Sequence, residues 1–277
     1  MSRLTYPSDL DLESNWASGE IVANGCRHRF VKAGTGAGPP VLFAHGFTDN
    51  WQCLSPLAAR FADEHEVILY DARGHGLSEA PGTGYDADTM TDDLLSLCDA
   101  LNVERPILYG HSLGADSLAR GAARGGLQPR ALVLEDHPAQ LFEALGEDHL
   151  PNKRNQLDRW STATHESLRD EFEPQYPRFA DVLATARKQV RSQVLGITKR
   201  GFEPLETVLP EPPCPALLLR PDPAVASYAA PSRDRRWATE TTTVRSVDGA
   251  GHTIFRDRPS VCLELLEEFL AERDIGR

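Results

Sequence analysis

The chain has 277 residues, 40% of them apolar and 25% charged, which is ordinary globular composition and excludes a disordered or fibrous protein. Its formal charge of −12 disfavours nucleic acid and anionic membrane as partners. No apolar run approaches the roughly 20 residues of a membrane helix, and the polar start of the chain does not read as a secretory leader.

Residues 1–18 are polar and read as a loose leader. Ile21–Asn24 and His28–Lys32 flank Gly25, which predicts a hairpin. Short apolar runs then alternate with helical spacing. The runs are Val41–Ala44, Glu66–Tyr70, Pro106–Tyr109, Ala131–Leu134, Ala216–Leu219 and Thr241–Val247. The helices are predicted around Ser55–Ala62, Asp88–Leu101, Leu113–Ala123 and Pro259–Arg273. Buried strands separated by helices predict βαβ units and a mainly parallel sheet. Between about His137 and Glu211 the strand-like runs stop and helix-favouring, charged sequence takes over. The expected organisation is an α/β core of residues 1–136 and 211–277, interrupted by a helical cap over 137–210.

The sharpest chemical signal is Gly110-His111-Ser112-Leu113-Gly114, a G-x-S-x-G between an apolar strand and a helix. Such a turn is so tight that only glycine fits beside the serine, and it lifts the hydroxyl toward the crevice. Ser112 needs a base. His252, in Asp248-Gly249-Ala250-Gly251-His252 after the last strand, is the candidate, because the order Ser…acid…His requires a late histidine. An oxyanion hole needs two backbone amides. Leu113 supplies one, and Phe47 in His45-Gly46-Phe47 is the candidate for the other.

Together with Asp71-Ala72-Arg73-Gly74-His75-Gly76-Leu77-Ser78, these motifs resemble the α/β-hydrolase family, in its capped, esterase- and epoxide-hydrolase-like bacterial branch. The resemblance spans about residues 20–272 and implies an α/β-hydrolase fold. It also implies that the Asp71–Ser78 loop is scaffolding. Epoxide hydrolases and haloalkane dehalogenases carry Asp at the elbow, whereas Ser112 favours attack on an acyl carbon. In most of the family the acid follows the strand read here as Ala216–Leu219. Here the sequence is Pro221-Asp222-Pro223-Ala224, and Ala224 stands where the acid is expected. Some members carry the acid one strand earlier, at the position of Glu135. Glu135 is therefore the preferred third member of the triad, with Asp222 and then Asp136 as alternatives.

The expected activity is hydrolysis of a carboxylic ester or lactone through an acyl-enzyme. The alternatives are thioester or C–C hydrolysis or cofactor-free perhydrolysis on the same triad, and a non-hydrolytic binding protein or cyclase. Trp51, His111, Trp160, Phe172 and Tyr176 are candidate substrate contacts. No HExxH or other metal-ligand cluster occurs, so neither metal nor cofactor is expected. The five cysteines (Cys26, Cys53, Cys98, Cys214, Cys262) include no CxxC pair and suggest a reducing, cytoplasmic setting. The expected partner is a small-molecule substrate, with homodimerisation left open.

Overall fold

The computed structural model describes residues 16–34, 36, 38–145, 149–230 and 236–275. The leader expected over 1–18 lies outside these except for its last three residues, which belong to the first strand. β1 (Trp16–Ala23) and β2 (Cys26–Ala33) pair antiparallel around a two-residue turn. Asn24 and Gly25 both hold positive φ there, 49° and 69°, the geometry that matches strand twist in a tight hairpin.

Six more strands follow: β3 (Gly38–Ala44), β4 (His65–Tyr70), β5 (Ile107–His111), β6 (Ala131–Glu135), β7 (Ala216–Pro221) and β8 (Thr242–Val247). The sheet order is β1-β2-β4-β3-β5-β6-β7-β8. β2 runs antiparallel to both its neighbours and the remaining pairs are parallel. The fold is thus an α/β-hydrolase fold with a mostly parallel eight-stranded sheet.

The near-continuous apolar runs have a simple cause. Successive side chains leave a strand on opposite faces, and here both faces are covered. Leu42, Ile68, Leu108, Leu132, Leu134 and Leu218 pack on one side against α2 (Ala87–Ala100) and α3 (Leu113–Ala123). Phe43, Leu69, Tyr109, Val133, Leu217 and Leu219 pack on the other, against α1 (Ser55–Ala58) and the C-terminal helix Pro259–Glu272. The helix expected over Ser55–Ala62 is shorter. A 3₁₀ turn at Trp51–Leu54 leads into α1, and turns follow Ala58.

Between β6 and β7 the described chain forms α4 (Ala139–Leu145), α5 (His149–Thr162), α6 (His165–Phe172), α7 (Ala180–Gln189), α8 (Leu195–Arg200) and α9 (Leu205–Val208). α7 contributes Val182, Leu183 and Ala186 to the second face of the sheet. No helix among the described residues is long and apolar enough to cross a membrane. All five cysteines are buried and free.

Candidate active site

The parallel strands bring their carboxyl ends into register, with Ala44 beside Gly110, His111 beside Glu135 and Glu135 beside Leu219. Ligand crevices of open α/β sheets lie just beyond such ends. Ser112 leaves β5 there with φ 51° and ψ −112°, a strained conformation for a residue with a side chain. The flanking glycines make the turn feasible. A Cβ on Gly114 would stand 2.1 Å from the Ala44 carbonyl oxygen, and one on Gly110 would stand 2.7 Å from the Ala115 nitrogen.

His252 Nε2 lies 3.0 Å from Ser112 Oγ. Its Nδ1 lies 2.6 Å from Asp136 Oδ2. The carboxylate that meets the histidine is therefore Asp136, and the preference for Glu135 is corrected. Glu135 is the last residue of β6 and shares the face of Val133. Its carboxylate accepts the Tyr109 hydroxyl at 2.6 Å and the Phe255 amide at 2.8 Å, underneath the crevice. The next residue, Asp136, turns out of the strand with φ 42°, and Asp is among the residues that tolerate this region. Asp222 is also elsewhere. Its carboxylate accepts the Gly249 and Ala224 amides, both at 2.8 Å, and so pins the loop that carries His252.

Asp136 is fully buried and also accepts from Arg220 and Tyr228. Burial alone would raise its carboxyl. The His252 hydrogen bond and charge, the Arg220 guanidinium and the Tyr228 hydroxyl outweigh this and hold it below the usual carboxylate range. Both donors were unseen in the sequence. Tyr228 stands eight residues beyond Arg220, past the irregular stretch after β7, and no local pattern joins either to Asp136.

A second buried charge cluster sits beside Ser112. Asp49 accepts from Arg187 at 3.1 Å through Oδ1 and from Arg256 through Oδ2. His111 Nδ1 stands 3.7 Å from Asp49 Oδ2, and its Nε2–H donates to the His252 carbonyl at 3.0 Å. Burial would raise the Asp49 carboxyl, but Arg256, His111 and Arg187 hold it well below the ordinary range. For His111 burial works downward, and the Glu135 charge and Asp49 override it, so the ring is pushed up. One carboxylate thus ties together the loop after β3, helix α7 and the turn after His252.

Ser112, His111 and His252 open into a cavity of about 180 Å³. Its polar wall includes Asp49, Lys153, Arg187 and Arg256, and its apolar wall Phe47, Leu141, Phe142 and Leu145. Of the residues singled out in the sequence, Phe47 and His111 line this cavity, whereas Trp51, Trp160, Phe172 and Tyr176 are not part of its wall. Trp51 tilts against Trp16, its amide donating to Asp71. Trp160 and Phe172 stack beside the Arg187 guanidinium, 5.2 and 5.3 Å from their ring centres. The Tyr176 hydroxyl donates to Asp257. Trp160 is buried, and Trp51, Phe172 and Tyr176 are partly buried against the apolar residues of the second sheet face. No group of three or more His, Cys, Asp or Glu that could hold a metal ion occurs among the described residues.

Comparison with known proteins agrees with this architecture. The model of the alpha/beta hydrolase family matches residues 41–265. A 2-(acetamidomethylene)succinate hydrolase of Mesorhizobium japonicum is 30% identical over 251 residues, covering 85% of this chain and 89% of that protein. The crystal structure of an E-2-(acetamidomethylene)succinate hydrolase superposes with a TM-score of 0.74 at 24% identity, over 92% of this chain and 99% of the other. An N-formylmaleamic acid deformylase from Pseudomonas putida superposes with a TM-score of 0.75 at 22% identity, over 91% of this chain and all of the other. At these identities the superpositions speak for the fold alone.

Proposed function

Because the chain belongs to the alpha/beta hydrolase family, we propose that it is a serine hydrolase cleaving a small acyl substrate through an acyl-enzyme. The observation that carries this reading is the unbroken relay from Ser112 Oγ to His252 Nε2 at 3.0 Å and from His252 Nδ1 to Asp136 at 2.6 Å. His252 takes the Ser112 proton as Oγ adds to the carbonyl carbon. Asp136 keeps the Nδ1–H tautomer and stabilises the imidazolium. The amides of Phe47 and Leu113 face the developing oxyanion. His252 Nε2–H then protonates the leaving group as its bond to the carbonyl carbon breaks. Water, losing a proton to the same nitrogen, then attacks the acyl carbon; as the acyl–Oγ bond breaks, His252 Nε2–H returns that proton to Ser112 Oγ and the acid leaves. In this reading residues 137–210 cap the crevice.

An ester or lactone is the substrate bond to be expected from the triad. A second reading, a C–N bond of an amide, has support from the relative of 30% identity, whose name describes hydrolysis of an acetamido compound. The same relay serves both, because the leaving nitrogen needs the proton that His252 carries. A fluorophosphonate probe should label Ser112 and fail on Ser112→Ala. Labelling that persists in that variant overturns the proposal. A paired panel of short esters, lactones and N-acyl amides then distinguishes the bond cleaved.

A further inference from the structure

Among the described residues, the charge of the cavity beside Ser112 is unbalanced. Three cationic side chains, Lys153, Arg187 and Arg256, stand in its wall against one described carboxylate, Asp49. Both oxygens of that carboxylate are already taken, one by Arg187 and one by Arg256. Lys153 has no carboxylate partner among the described residues. Its ammonium donates to the Gln156 side chain at 3.0 Å and stands 5.8 Å from the centre of the Phe47 ring. Arg187 Nε is buried without a hydrogen-bond partner among the described residues. A partly desolvated cation next to a second cation is unfavourable unless an anion joins them. Burial and the Arg187 charge accordingly push the Lys153 ammonium down from its ordinary value.

From this arrangement we infer that Lys153, backed by Arg187, is the anchor for a carboxylate on the substrate's acyl part. The inference rests on the hydrolase reading above and names the substrate class: short acyl compounds bearing a free carboxylate close to the scissile carbonyl. Two features limit the reach. Lys153 stands beside the side chain of Phe47, whose amide is the proposed second oxyanion donor. The cavity, about 180 Å³, is smaller than the roughly 300–1,000 Å³ of drug-sized sites. An acyl group of succinyl or glutaryl length can put its carbonyl at Ser112 and its carboxylate at Lys153. Phe142 and Leu145 cover the methylenes between. The Asp49–Arg187–Arg256 cluster then does two jobs, holding the loop after β3 and keeping the field at the subsite positive.

The test compares the 4-nitrophenyl monoester of succinic acid with its neutral methyl-capped analogue, corrected for spontaneous hydrolysis. The wild type should favour the anion at least tenfold in kcat/KM, chiefly through KM. Lys153→Met should erase most of that preference, Lys153→Arg should keep it, and Lys32→Met, on β2 and paired with Glu66, should leave the ratio untouched. Protection of Ser112 from the fluorophosphonate by glutarate but not by glutaramide gives a reading independent of turnover. Ser112 labelling with no preference in the wild type, or with equal preference in Lys153→Met, overturns the subsite alone. Absence of both labelling and turnover overturns the hydrolase reading and the subsite with it.

Discussion

Glu135 and Asp136 are neighbours in the chain and their carboxylates serve opposite sides of the sheet end. Asp136 stands 2.6 Å from His252 Nδ1, while Glu135 accepts the Tyr109 hydroxyl at 2.6 Å beneath the crevice. Their main chains are linked to the same relay: the Ser112 amide donates to the Glu135 carbonyl, and the Asp136 amide to the Leu219 carbonyl, each at 2.9 Å.

Carboxamide variants should separate the three acids. Asp136→Asn should lower kcat by about 10⁴-fold, because the amide can present an N–H to His252 and stabilise the wrong tautomer. Glu135→Gln should keep turnover within about tenfold and lower the melting temperature, since it disturbs two buried hydrogen bonds. Asp222→Asn should leave turnover within about twofold. A full rate in Asp136→Asn would remove Asp136 from the relay.

Asp49→Asn should destabilise the fold by about 3–5 kcal/mol, because it leaves Arg187 and Arg256 buried with half their compensation gone. Urea unfolding measures this. The double variant Asp49→Asn/Arg256→Met should recover part of the loss, and an additive double variant would show that the pair is not coupled.

Stability should fall as the pH drops below about 6.5, with His45 a main contributor. Its Nε2 accepts the Ala72 amide at 3.0 Å and its Nδ1–H donates to the Gly46 carbonyl, so the folded site needs the neutral ring. Burial, with the neighbouring His75, pushes its pKa down to about 3. The folded value lies below the unfolded one, so the unfolded chain binds the extra proton and stability is lost as pH falls from 6.5 toward 3. One such ring costs about 2 kcal/mol between pH 6.5 and 5. Asp71, pushed up to about 6 by burial, works in the other direction over part of this window. The measurement is therefore the difference in slope between wild type and His45→Gln, which keeps an acceptor without the titration. Equal slopes would refute it.

Gly114→Ala should cost about 3 kcal/mol or more and lower the melting temperature by several degrees, because the added carbon meets backbone at Ala44 rather than a flexible side chain. A variant that melts like the wild type would mean that the strand can yield, and that this glycine is not what permits the tight elbow.

The alternation of apolar runs and helical spacing was enough to place the strands and the helices that cover them. Helix Leu113–Ala123 and the strand starts at Ala131 and Ala216 coincide with the sequence reading, because buried strands and amphipathic helices are written in short-range periodicity. The serine was legible for the same reason, since the constraints on Gly110 and Gly114 act within five residues. His252 was legible from its loop and its position late in the chain. The acid was decided only by tertiary structure. Along a strand one step changes the face, so whether Glu135 or Asp136 reaches His252 depends on where β6 ends and on the left-handed turn at Asp136, neither of which a local pattern marks. The cationic wall was hidden for a related reason. Lys153, Arg187 and Arg256 come from α5, α7 and the turn after His252, and only the packing of those elements around one cavity brings three scattered charges together.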